Sequence, residues 1–206
     1  MPLDSEHRQI ILKTLALVES VSADVETTSY LWGGMALDAY RGQLLRTHHD
    51  LDYLTVDLWR HFEKLCAAFE REGCVAKELV NGDLSVKGIG TSIHFGHIEL
   101  TEYTRWVHNR DSKTGVFCFP NVWLSDLAYL IDGVGTHVVE PEFEYVIKSQ
   151  PTLLNPHWIP RPKDIDAFEQ TKALLAMRGV DLASLSYMVS VESPCDTILD
   201  KNNRGI

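Results

Sequence analysis

Residues 30–56 read YLWGGMALDAYRGQLLRTHHDLDYLTV, and the fold is decided within this stretch. The segment from Ser29 to Trp32 is apolar enough for a short buried strand and is broken by Gly33 and Gly34. MALDAYRG then has the pattern of a short helix closed by Gly42. From Asp50 to Val56 the chain alternates as a half-buried strand does, with Leu51, Tyr53 and Thr55 on one face and Asp50, Asp52 and Leu54 on the other. Two positions apart on a strand, the Asp50 and Asp52 carboxylates leave the same face from Cα atoms roughly 6.5 to 7 Å apart. Such a pair can share a hard cation, because Mg²⁺ is usually held by one or two carboxylates plus substrate phosphates. Two metals about 3.5 to 4 Å apart also suit in-line attack on phosphorus. A Gly-Gly ahead of a helix lets a phosphate approach the backbone and meet the positive end of the helix dipole. Alone, Asp-x-Asp is more often two solvated acids and Gly-Gly a turn. The order strand, Gly-Gly, helix, basic loop, Asp-x-Asp strand is what joins them into a phosphate-handling site.

Outward from this stretch, residues 7–21 carry Ile10, Ile11, Thr14, Leu15, Leu17 and Val18 at helical spacings. Downstream, Phe62, Leu65, Cys66 and Phe69 fall at i, i+3, i+4 and i+7 of a helix stopped by Gly73. Strands are expected over 74–80, 84–89 and 92–103, separated by the turn signals NGD and GIG. Residues 117–132 read as irregular, Gly133 and Gly135 as a turn before a strand over 137–140, and Pro141 as the start of a helix to about Gln150. A loop with Pro151, Pro156, Pro160 and Pro162 leads to a helix over 163–178, with Ile165, Phe168, Thr171, Lys172 and Leu175 along one side. The tail beyond Val189 reads as irregular. The architecture expected is α+β, a mixed central sheet flanked by helices over residues 1–160, with a short helical extension and tail over 161–206 packed on the same domain.

The chain has 206 residues, 29 acidic against 19 Lys plus Arg, for a formal charge of −10. That balance argues against non-specific binding to nucleic acid, since like charges repel the phosphate backbone. No apolar run is long enough to cross a membrane, and MPLDSEHRQI lacks the pattern of a signal peptide, so a cytoplasmic protein is expected. Cys66, Cys74, Cys118 and Cys195 form no CxxC pair and read as unremarkable thiols. On a strand the HxxH of His94 and His97 sends its imidazoles to opposite faces, which disfavours a shared metal. Trp32, Trp106, Trp123 and Trp158 are read as core or pocket walls.

The sequence resembles the nucleotidyltransferase superfamily that shares the fold of DNA polymerase beta. It is most similar to the branch of aminoglycoside 2''-adenylyltransferases and lincosamide nucleotidyltransferases. The residues carrying the resemblance are Gly33 and Gly34, then Arg46, His48, Asp50, Leu51 and Asp52 in the pattern Arg-x-His-x-Asp-hydrophobic-Asp. It continues in HIELTEY, where Glu99 takes the place of a third carboxylate that is Asp in many members, in a helix bearing Lys148, and in RPKDIDAFEQTKALL with Arg161, Lys163, Asp164 and Asp166. Coverage runs from about Tyr30 to Leu175.

The resemblance implies a Mg²⁺-dependent transfer of a nucleoside monophosphate, AMP from ATP first of all, to a hydroxyl of a small molecule, with release of pyrophosphate. The acceptor would be an aminoglycoside, a lincosamide or a related metabolite. It assigns Asp50 and Asp52 to the metal, Glu99 to a second metal site and to general base, and Gly33 and Gly34 to the phosphates. Arg46, Lys148 and Lys163 would offset charge on the triphosphate, and His48 would orient Asp50 or the phosphates. Two Mg²⁺ ions are expected, and a monomer or homodimer. For Lys148 a helix C-terminal charge, and for Asp38, Asp164 and Asp166 purely structural roles, stand as alternatives. At the level of function the alternatives are a toxin that modifies protein or tRNA, and a catalytically silent nucleotide-binding module.

Overall fold

The computed structural model describes residues 4–88, 90–110, 113–150 and 159–192. Its centre is a mixed sheet in which β1 (Ser29–Trp32), β2 (Asp50–Val56), β5 (Ser92–Leu100), β6 (Thr104–Arg110), β7 (Lys113–Phe119) and β10 (Met188–Glu192) follow one another across the sheet. β2 and β5 run parallel, and the other pairs along this path are antiparallel. β4 (Leu84–Lys87), itself paired with β3 (Val75–Glu78), shares the second edge of β5 with β6, taking the half that begins at Ser92. The parallel β2–β5 pair forces a crossover, which α3 (Leu58–Arg71), β3 and β4 supply.

The alternation of β2 sorts its side chains as expected. Leu51 and Tyr53 enter a core shared with α1 (Ser5–Asp24), α3 and Phe95. Leu54 faces the opposite side, packed among Ile98, Trp106, Phe117, Phe119 and Phe143, the last from α4 (Pro141–Ser149). This second core is an aromatic cluster, in which Trp32 meets Trp106 and Phe143 edge to face. Trp32, Trp106 and Trp123 therefore stand in or against the core, while Trp158 lies outside the described residues. The free thiols described are Cys66, Cys74 and Cys118; Cys195 is outside the described residues.

Several expectations change. The stretch over 117–132 is not irregular throughout: Phe117 and Phe119 belong to β7, and β8 (Tyr129–Ile131) forms a hairpin with β9 (Val134–Thr136). Its two-residue turn, Asp132-Gly133, has both residues at positive φ (49° and 86°), the twist that matches a hairpin's strands. The strand expected over 137–140 is reduced to single bridges from Val138 to Leu31 and from Leu124 to Val139. In α5 (Pro162–Met177) the buried positions are Ala167, Thr171 and Leu175, whereas Ile165 is 54% exposed. Phe168 stacks instead on Tyr145 of α4. Beyond Val189, where the tail is expected to be irregular, Ser190, Val191 and Glu192 continue β10 and pair along β7. The strand expected over 84–89 ends at Lys87, and Ile89 is outside the described residues.

Candidate active site

Asp50 and Asp52 stand at the entry of β2 on the face turned toward α4, with Asp50 exposed and Asp52 largely covered. The neighbour of Asp52 on β1 is Trp32, so the chain turns through Gly33 and Gly34 directly beside its carboxylate. Gly33 has φ +78°, and a Cβ there would lie 3.4 Å from Asp52 Oδ2. A side chain at this position would be strained and would crowd the carboxylate. α2 (Gly34–Arg41) begins immediately after, with no side chain capping its first amides. Burial, reinforced by the Asp50 carboxylate, pushes the Asp52 carboxyl up to about 6, against the pull of Lys148 and Lys163. Two acids held this close repel one another, and a cation between them would relieve the repulsion.

The cations gather on the same side. The Arg46 guanidinium occupies the space that a Cβ on Gly34 would need, so the glycine is what lets Arg46 reach the turn. Lys148, from the last turn of α4, is mostly covered, its side chain 15% exposed, and bonded to Glu144 one helical turn earlier. Glu144 is fully buried, and its other oxygen accepts the Gly33 N–H. Desolvation lowers the Lys148 ammonium to about 8, with Arg46 adding to the effect and Asp164 and Asp52 opposing it. Lys163 stands in the first turn of α5, within electrostatic range of Asp52. Arg161 and Asp164 close the start of that helix in a capping box.

His48 does not reach Asp50. It is buried, and its Nε2 bonds Asp38 Oδ2 of α2 at 2.8 Å, the same oxygen that accepts the Leu45 N–H at 3.0 Å. This pair ties the loop that carries Arg46 to α2, so His48 positions the loop and Asp38 is its anchor. Asp38→Ala leaves a ring nitrogen and a backbone N–H without their acceptor inside the protein. A loss of about 2 to 3 kcal/mol is expected in urea unfolding.

Glu99 is not brought to the aspartates. Along the parallel pair Asp52 is opposite His94 and Val56 opposite Ile98, so Glu99 lies level with Asp57. That is five residues, about 16 Å, further along the strands, and on the other face of the sheet. There Glu99 is engaged with Arg105 at 2.6 Å and with His97 at 3.5 Å. Its expected place beside Asp50 and Asp52 falls to His94, with Gly96 next on that face; Trp106 covers Gly96, its Nε1 3.2 Å from where a Cβ would stand. His97 faces the opposite way and stacks on Trp59, so the two histidines diverge as strand geometry requires. Among the described residues no group of three His, Cys, Asp or Glu side chains is arranged to hold a metal ion. Two neighbours of the aspartates and their turn escape the sequence: Glu144, which resembles an ordinary first-turn acid, and His94. Only the alternation of β5, counted from the correct register, could have pointed to His94.

No family model matches the chain, and no curated protein matches it in sequence. Solved structures do match. The solution structure of the antibiotic-resistance factor ANT(2'')-Ia is 16% identical over 82% of this chain and 85% of that one, with a TM-score of 0.59. ANT(2'')-Ia in complex with adenylyl-2''-tobramycin gives 18% identity, 83% and 91% coverage, and a TM-score of 0.59. The lincosamide antibiotic adenylyltransferase LnuA, lincomycin-bound, gives 17%, 84%, 99% and 0.55. At these identities the likeness is one of fold: the chain has the mixed α+β fold of the antibiotic nucleotidyltransferases. No helix among the described residues is long and apolar enough to cross a membrane.

Proposed function

We propose that this chain is a nucleotidyltransferase that moves a nucleoside monophosphate, AMP from ATP first of all, onto a hydroxyl of a small molecule. An aminoglycoside or lincosamide antibiotic, or a related metabolite, is the acceptor class. The observation that carries the proposal is the convergence of two same-face carboxylates, Asp50 and Asp52, with the Gly33-Gly34 turn and three cations, Arg46, Lys148 and Lys163. A site rich in both acids and bases suits a metal–triphosphate, whose own charges are of both signs. The neighbours ANT(2'')-Ia and LnuA, named for antibiotic adenylylation, support the acceptor class.

The residues present fit Mg²⁺, which favours carboxylate and phosphate oxygens: burial first, and the Asp50 carboxylate second, raise the Asp52 carboxyl, and a cation held by the two carboxylates would offset both. Asp50 and Asp52 would hold it, and when bound it would neutralise charge on the triphosphate oxygens. The acceptor oxygen bonds to the α-phosphorus as the bond to the bridging oxygen of pyrophosphate breaks, and the hydroxyl proton is released. Arg46, with Lys148 and Lys163, faces the charge that builds on the leaving pyrophosphate, where preplaced cations act without reorganisation. The turn at Gly33 and Gly34 would meet the phosphates through Arg46, whose guanidinium fills the space that a Cβ on Gly34 would need.

Purified protein incubated with each NTP, Mg²⁺ and a panel of aminoglycosides, lincosamides and hydroxylated metabolites should release pyrophosphate and yield a product heavier by one nucleotide. Label transferred to cellular protein or tRNA instead would identify a macromolecular acceptor. Nucleotide binding without turnover on any acceptor would identify a silent binding module, and failure to bind any NTP with Mg²⁺ sinks the proposal.

A further inference from the structure

Resting on that nucleotide-handling site, we infer that it is built for a single divalent cation, because His94 stands beside Asp52 where a third carboxylate would have to stand to hold a second. The pairing of β2 with β5 places position 94 level with Asp52 on the same sheet face, on the strand directly alongside, about 4.8 Å away. The next position on that face, 96, is glycine, and the indole of Trp106 covers it, so no side chain can be offered from there either. The nearest acid further along β5, Glu99, is on the opposite face and committed to Arg105. Among the described residues, two further acids near the site are engaged: Glu144 is bonded to Lys148 and to the Gly33 N–H, and Asp164 to Arg161.

Charge and ligand chemistry both limit the count. Two carboxylates supply two negative charges, enough to balance one divalent ion before the nucleotide contributes. A second ion would sit about 3.5 to 4 Å from the first and would need further oxygen donors from the protein to offset the repulsion. Imidazole is a poor substitute, since Mg²⁺ and Mn²⁺ favour carboxylate, carbonyl and water oxygens. His94 is half-buried. In neither protonation state does an imidazole carry negative charge, so His94 offers none to balance a second cation.

The test is the number of Mn²⁺ ions held by the full chain with a non-hydrolysable ATP analogue, measured by equilibrium dialysis with metal analysis and by EPR. The wild-type complex should hold one Mn²⁺ per chain with no spin coupling. His94→Asp should hold two, with the broadened signal of a coupled pair, and His94→Ala should hold one with affinity within about threefold of wild type. If His94→Asp does not fold, the wild-type and His94→Ala counts decide alone. Two coupled ions in the wild type overturn the inference and leave nucleotide binding standing. No nucleotide-dependent Mn²⁺ at all overturns the proposed function, and the inference with it. A drop of more than tenfold in His94→Ala would make His94 a ligand and overturn the inference.

Discussion

Asp52→Asn is expected to remove nucleotidyl transfer, with kcat falling by at least about 10³-fold, while the ligand-free protein becomes more stable. Loss of a metal ligand forfeits several kcal/mol of transition-state stabilisation, and each 1.36 kcal/mol is about tenfold in rate. The stability gain follows from titration. Burial and Asp50 raise the folded carboxyl of Asp52 from 3.8 to about 6, so between those values the folded protein binds more protons than the unfolded chain. Stability contributed by this group falls as pH rises through that window and stays lost above it, by up to about 3 kcal/mol. Melting curves of wild type and Asp52→Asn should therefore coincide near pH 4 and separate toward pH 7, the variant melting higher. Saturating Mg²⁺ and nucleotide should reverse the order by stabilising only the wild type. An Asp52→Asn protein as active as wild type would remove Asp52 from the metal site.

The second large effect is on stability. Lys148→Met strands the Glu144 carboxylate, which is 0% exposed, without its cation. Breaking a buried pair on one side costs about 3 to 5 kcal/mol. For a chain of this size, each kcal/mol lowers Tm by about 2 to 4 °C. Adding Glu144→Gln should recover most of the loss, because the amide oxygen can still accept the Gly33 N–H while the buried charge is gone. Activity separates the two roles of Lys148. If the cation only offsets Glu144, the double variant regains turnover along with stability. Where Lys148 also faces the triphosphate, stability returns and the KM for nucleotide stays raised. A Lys148→Met protein as stable as wild type would mean the pair contributes nothing net.

Much of the site was legible in the local sequence. The alternation DLDYLTV placed Asp50 and Asp52 on one face of β2, and Gly33-Gly34 marked the turn beside them, because strand parity and glycine turns depend on neighbours within a few residues. Arg46 reached that turn because Gly34 leaves room for it. The Asp132-Gly133 hairpin was present as an ordinary turn signal, but its short strands, three residues each, are too brief for periodicity to reveal. β10 was invisible for another reason: its pairing with β7 joins residues more than 60 apart, and a strand at a sheet edge needs its partner to be defined.

The sequence by itself determined which strand carries the two aspartates, which turn lies beside them, and the mixed α+β character of the chain, all properties of short-range pattern and chain order. Only the tertiary structure decided what else reaches the site. The register between β2 and β5 is set by how two strands separated by a crossover of 35 residues pack their apolar faces, and a displacement of five positions carries a side chain about 16 Å and an odd step turns it to the other face. That register removes Glu99 from the aspartates and puts His94 in its place. Burial did the rest, turning Glu144 from a helix N-terminal acid into the partner of Lys148 and Gly33, and joining His48 to Asp38 so that the Arg46 loop is tied to α2.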